Sequence, residues 1–114
     1  MKPFVKVMKA LSDPNRVKII KVLQQKNMCV CELQAALNLA QSTVSKHLRI
    51  LEEAGLVDYN KDGLCVNYFL ADGNSSPYAA SLLGNLQHWL NEDSEVAELM
   101  KKAPLINRED ICGN

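Results

Sequence analysis

Apolar residues recur at helical spacing through the first half of the chain, and the pattern then changes. Phe4, Met8 and Leu11 share one face of a helix predicted over residues 3–11. Asp13-Pro14 has the form of an N-cap followed by proline at the first helical position. A second helix is therefore expected to run to about Gln25, with Val17, Ile20 and Leu23 facing inward. Leu33 and Leu37 mark a short third helix over roughly Cys31 to Asn38, and Leu39-Ala40 makes a brief turn. Val44, Leu48 and Leu51 define a fourth helix from Gln41 to Ala54, closed by Gly55 where a helix end favours left-handed backbone. Beyond it the period becomes that of strands, with residues 56–60 and 65–71 flanking Lys61-Asp62-Gly63-Leu64, a Gly-containing hairpin turn. Pro77 opens a fifth helix with a stripe of Leu82, Leu83, Leu86, Trp89 and Leu90, and a sixth helix over Glu95 to Lys102 stops before Pro104. The tail is expected to be loose as far as Cys112.

Two helices joined by a tight turn and followed directly by a two-stranded hairpin form the layout of a winged helix-turn-helix. The predicted class is mainly α with a β-hairpin wing, in one domain over residues 1–114, since that length leaves no room for two cores. The helix Gln41 to Ala54 then becomes the element that enters a DNA major groove. Gln41, Ser42, Thr43, Ser45, Lys46 and Arg49 occupy its outward or N-terminal positions, where hydroxyls and amides reach base edges and cations reach phosphate. His47 either joins them or packs against the neighbouring helix. At the wing, Lys61 and Asn60 are candidates for backbone or minor-groove contacts.

Charge refines this picture. The net charge is zero, which excludes a simple basic nucleic-acid coat, but the distribution is uneven. Residues 1–27 carry seven Lys/Arg against Asp13 alone, and residues 77–114 carry six acidic against three basic residues, an asymmetry compatible with one face turned towards phosphate. No paired carboxylates, nucleophile–base set or Gly-rich phosphate loop is visible, so no enzymatic activity is expected. Lys2, Lys6 and Lys9 interrupt the apolar residues at the N-terminus and no long apolar stretch follows, so neither an export signal nor a membrane span is expected. The expected location is cytoplasmic, with Cys29, Cys31, Cys65 and Cys112 as reduced thiols rather than a disulfide framework.

Cys29-Val30-Cys31 is the sharpest chemical feature. The pair lies at the start of the third helix, where the helix dipole favours thiolate. Residues two apart on a regular helix point in nearly opposite directions, so both sulfurs reach one ion only if the helix begins at or after Cys31 or its first turn distorts. Thiolates select soft acceptors: As(III), Sb(III), Cd or Pb.

The runs SDPNRVKIIKVL, CVCEL, QSTVSKHLRILEEAGLV and DGLCVNYFL resemble the ArsR/SmtB family of metal-sensing repressors, closely over residues 3–71 and more loosely in the fifth helix. The resemblance implies a homodimer built from the first and fifth helices, bound to palindromic double-stranded operator DNA and released when a soft metal or metalloid binds Cys29 and Cys31. Phe4, Met8, Leu82, Leu86 and Trp89 independently offer more apolar surface than a three-helix core needs. CVCEL is similar to the metal-binding box of arsenic- and cadmium-responsive members, with departures. Gln34 stands where arsenic-responsive members commonly place a third cysteine, and Ala40 stands where a serine cap is frequent. Cadmium-responsive members bring further cysteines from an N-terminal extension, and no cysteine precedes Cys29 in this sequence. Cys112 is the expected third ligand, from the same or the other subunit, and Cys65 is read as packing. His88 with Glu92 does not supply the paired ligands of a fifth-helix zinc site. The rival on this scaffold is a redox sensor whose thiols are oxidised rather than metallated.

Overall fold

A computed structural model of the chain describes residues 1–112. The fold opens with α1 (Lys2–Ala10) and α2 (Pro14–Gln25), whose junction is set by Asp13: its carboxylate accepts from the backbone N–H of Asn15 and Arg16. A two-residue strand, β1 (Met28–Cys29), leads straight into α3 (Val30–Leu37), which ends on Asn38 in the left-handed region at φ 55°. That residue turns the chain into α4 (Gln41–Glu53). Gly55, at φ 79°, then closes α4 in a Schellman arrangement, its own N–H reaching Glu52 and the Leu56 N–H reaching Leu51. An added Cβ at Gly55 would lie 2.9 Å from the Ser75 hydroxyl, so glycine is required here on two grounds.

The wing is β2 (Val57–Asp62) and β3 (Cys65–Leu70), paired antiparallel in register from Val57 with Leu70 to Asp62 with Cys65. The turn is tighter than the four residues expected, only Gly63 and Leu64 lying outside the ladder, because Gly63 at φ 66° permits a two-residue connection. β1 was not anticipated. It pairs with β3, Met28 opposite Tyr68 and Cys29 opposite Asn67, to give a three-stranded sheet in the order β1-β3-β2. Two residues carry too short a pattern to be read as a strand without their partner.

The C-terminal third departs most from expectation. α5 (Pro77–Leu86) stops at Leu86, so Trp89 and Leu90 lie in a following turn rather than on a helical stripe. Lys21 caps this end: it is buried and sends its ammonium to the carbonyls of Leu86 and Trp89 and to Asn91 Oδ1, at 2.6, 3.0 and 2.6 Å. A cation at a helix C-terminus satisfies carbonyls that lack an intrahelical partner. α6 (Ser94–Lys102) follows with Asp93 as its cap. The tail is ordered rather than loose: a 3₁₀ turn at Ala103–Leu105 leads into a last helical turn, α7 (Arg108–Ile111).

The core contains Ile19, Ile20, Val22 and Leu23 of α2, Leu33 of α3, Val44, Leu48 and Leu51 of α4, and Leu56. α2 is covered on more sides than the three inward positions predicted for it, which is why Ile19 and Lys21 are buried as well. No helix among the described residues is long and apolar enough to cross a membrane.

Candidate metal centre and nucleic-acid interface

The four cysteine sulfurs meet at the first turn of α3. Cys29 is the residue before that helix, with extended backbone (φ −88°, ψ 172°), and this breaks the regular spacing that would have turned Cys29 and Cys31 apart. Their sulfurs are 3.1 Å from each other, and that of Cys29 is 3.4 Å from Cys112. Cys31 and Cys112 are in bonding contact, so the four thiols are not all free as expected: α7 lays Cys112 against the start of α3. Cys65 belongs to the group too. All four sulfurs lie within 4.8 Å of one another, so the structure places Cys65 beside the other three. The β1–β3 register explains it, since Cys29 sits opposite Asn67 and Cys65 is two residues away on the same face of β3.

The charged surroundings come from Glu32 and Arg108. Glu32 is buried, its Oε1 accepting from the Cys29 backbone N–H at 3.0 Å and from the Cys29 thiol at 3.3 Å. Cys-x-x-Glu thus acts as a capping box with cysteine in the place of serine or threonine. Burial opposes the charge of Glu32, but the Cys29 N–H and Arg108 outweigh it and hold the carboxyl below its ordinary value. Burial, with the neighbouring carboxylate, pushes the Cys29 thiol up to about 11. The helix dipole was expected to favour thiolate here; desolvation and Glu32 override it. Arg108 donates to Glu32 at 3.0 Å, Asp62 at 2.9 Å and Asn67 at 2.8 Å, so one guanidinium joins α3, β2, β3 and α7. Sequence reasoning missed Glu32, Arg108 and Lys21. The Cys-x-x-Glu spacing was a readable signal for the first only.

On α4, Gln41, Ser42, Lys46 and Arg49 are exposed, and Thr43 and Ser45 are half-exposed. Gln41 Nε2 donates to Ser45 Oγ at 2.8 Å, which orders part of this face in advance. His47 departs from the expected DNA-contacting set. It is buried, its Nδ1 lies 3.2 Å from Arg16 Nη1, and burial lowers its pKa. Arg16 also donates to the carbonyls of Ala10 and Lys9, so His47 fixes α4 to the α1–α2 junction instead of facing outward. Ala40 leaves the start of α4 without a side-chain cap. Lys61 and Asn60 are exposed on the wing.

Residues 13–59, which hold the helix-turn-helix with its polar, cationic second helix, match the bacterial regulatory protein arsR family. A helix-turn-helix transcriptional regulator of Methanocaldococcus jannaschii is 40% identical over 67 residues, 58% of this chain and 75% of that protein. The chain belongs to the arsR family. A transcriptional repressor SmtB homolog of Synechocystis is 43% identical over 65 residues, 57% of this chain and 49% of the repressor. A cadmium resistance regulatory protein CadC homolog of Staphylococcus aureus is 44% identical over 68 residues, 59% and 56% of the two chains. The chain thus spans about half the length of these two curated relatives. Among solved structures, a homodimeric winged helix-turn-helix DNA-binding domain from Mycobacterium bovis superposes with a TM-score of 0.66 at 26% identity, covering 82% of this chain and 83% of that one. These relatives are regulators of transcription, not enzymes.

The exposed face of α4 sets a first expected result. Arg49→Ala should weaken operator binding by roughly 1–3 kcal/mol and flatten its salt dependence, because a lost cation releases fewer counterions from DNA. Fluorescence anisotropy on an operator fragment across a salt series reads both effects. Wild-type binding by a folded Arg49→Ala protein would remove α4 from the interface.

Proposed function

We propose that this chain is a cytoplasmic, homodimeric transcriptional repressor that leaves a palindromic operator when a soft ion binds Cys29 and Cys31. The observation that carries the reading is the convergence of cysteine sulfurs at the first turn of α3, the helix that precedes and packs against the DNA-reading α4. Gln41, Ser42, Thr43, Ser45, Lys46 and Arg49 contact the operator, and the two copies of α4 enter successive major grooves about 34 Å apart. Sulfur donors define the inducer class as As(III), Sb(III), Cd(II) or Pb(II), and the cadmium-resistance name of one relative supports a metal response. The residues fit such an ion: four soft donors lie within reach of each other, and Arg108 and Lys26 pair with the neighbouring Glu32 carboxylate. The bound ion would supply a fixed bridge between the sulfurs in place of their protons. Operator affinity measured on reduced protein with and without arsenite, cadmium and zinc tests the proposal. Affinity unaffected by every soft ion would overturn it.

The bonding contact of Cys31 with Cys112 favours a second reading, a thiol redox sensor. One peroxide would oxidise the two thiols to a disulfide and be reduced to two waters. Release of operator by peroxide in metal-free buffer, and no release by cadmium under reducing conditions, would select this reading.

The dimer rests on an exposed apolar face. Phe4 and Met8 on α1, Tyr78 on α5 and Trp89 beyond it are 39–50% exposed, and Phe4 stacks edge-on against Tyr78 at 5.5 Å. Leu86, expected on this face, is in the core, and Leu82 packs against the core from its edge. Trp89→Asp should convert the dimer to monomer, since a charge in an apolar interface is left unpaired. Sedimentation velocity showing an unchanged dimer would place the interface elsewhere.

A further inference from the structure

We infer that Cys29, Cys31, Cys65 and Cys112 of a single chain form one four-thiolate cage for a tetrahedral soft divalent cation of the cadmium class, with α7 as the wall that closes it. The inference rests on the proposed metal response and specifies its ligands and ion class. Two donors come from the start of α3, one from wing strand β3 and one from the end of α7. A tetrahedron with zinc–sulfur bonds of about 2.3 Å has edges of about 3.8 Å, and a larger ion needs longer ones. The Cys29 separations of 3.1 and 3.4 Å lie inside that edge, and every pair lies within 4.8 Å. Cys31 and Cys112 are in bonding contact, so the cage requires that pair in its reduced form, with the sulfurs moved apart.

The donor count decides the ion. Trivalent arsenic bonds three thiolates and fills the fourth direction with its lone pair, so one cysteine of this cage is left over. A divalent ion with tetrahedral preference uses all four, and the thiol protons leave to solvent. Arg108 on α7 pairs with Glu32, the carboxylate beside Cys29, and so neutralises the nearest negative charge that opposes thiolate formation. Arg108 also holds Asp62 and Asn67, so α7 is seated on the wing before any ion arrives. Metal binding then straps β3 and α7 to the first turn of α3, which ties the wing to the helix packed behind α4.

The test is an anaerobic cadmium titration of the reduced full chain, with sulfur-to-metal absorption and X-ray absorption spectroscopy as readouts. One ion per chain with four sulfur neighbours is expected. Cys65→Ser and Cys112→Ser should each lower the count to three sulfurs and weaken cadmium binding by at least about tenfold, given that even outer-shell changes cost roughly 10–100-fold. Cys65→Ser should leave arsenite binding within about threefold, because three thiolates remain. Four sulfurs retained in either variant would overturn the cage. Should Cys65→Ser fail to fold, Cys112→Ser carries the same test, since Cys112 lies outside the hydrophobic core. Mixing Cys29→Ser/Cys31→Ser chains with Cys65→Ser/Cys112→Ser chains should give no four-sulfur site, and its appearance would overturn the single-chain assignment. A four-sulfur site that leaves operator affinity unchanged would sustain the cage and remove the induction reading. Operator release with only the Cys29 and Cys31 sulfurs bound would do the reverse.

Discussion

Lys21→Ala is expected to destabilise the fold by about 3–5 kcal/mol, more than any single change on the exposed face of α4. Lys21 is 1% exposed, yet it has no carboxylate partner among the described residues. Its three donors are instead used by the carbonyls of Leu86 and Trp89 and by Asn91. Burial lowers its pKa, and the carbonyl end of α5 offsets the cost of holding the charge. Alanine removes the cation and strands the buried Leu86 carbonyl, at a cost on the order of 1–3 kcal/mol, and loses the two part-buried bonds to Trp89 and Asn91. It also leaves a cavity where the four-carbon stem lay. Lys21→Met restores the packing without the hydrogen bonds, so it should recover only part of the loss. Urea unfolding reads the series through the midpoint at constant slope. The same change should loosen the Trp89 turn and weaken any dimer that uses it. An alanine variant within about 1 kcal/mol of wild type would show that solvent satisfies those carbonyls.

Lys21 also shows where the sequence was legible and where it was not. The order of helices, hairpin and caps could be read because it depends on local signals: the Asp13-Pro14 start, the Gly55 stop and the spacing of Val44, Leu48 and Leu51. Cys29 and Cys31 stood out for the same reason, being two donors in three residues. What could not be read depends on residues far apart. Lys21 caps the end of α5 from 65 positions away, and Arg108 reaches Glu32 across 76. Cys65 looked like a strand residue because β1, which sets its position beside Cys29, is visible only in its pairing with β3. His47 stood between two roles on the helical wheel, and Arg16, 31 positions earlier, decides for burial. The tail reads as loose because a four-residue helix has no periodicity of its own; Arg108 holds it through three partners.

Replacing Cys29 and Cys31 together with serine is expected to abolish inducible release while leaving operator affinity within about threefold of wild type. Serine keeps the size of cysteine and can still accept hydrogen bonds at the start of α3, but its hard hydroxyl does not hold a soft ion. The backbone hydrogen bond from residue 29 to Glu32 does not involve sulfur and should persist, so α3 should still begin at Val30. The exposed side chains proposed to contact DNA on α4 are separate from the cluster, so their exposure should be unchanged. Two measurements separate sensing from packing: operator affinity of the free protein, and its change on adding cadmium or arsenite. Ligand cysteines predict normal binding with no change on addition. Packing cysteines predict a joint loss of stability and DNA binding, since Cys29 is buried, with release persisting in whatever protein stays folded. A stable, DNA-binding double variant that still lets go of its operator when cadmium is added would remove Cys29 and Cys31 from the inducer site.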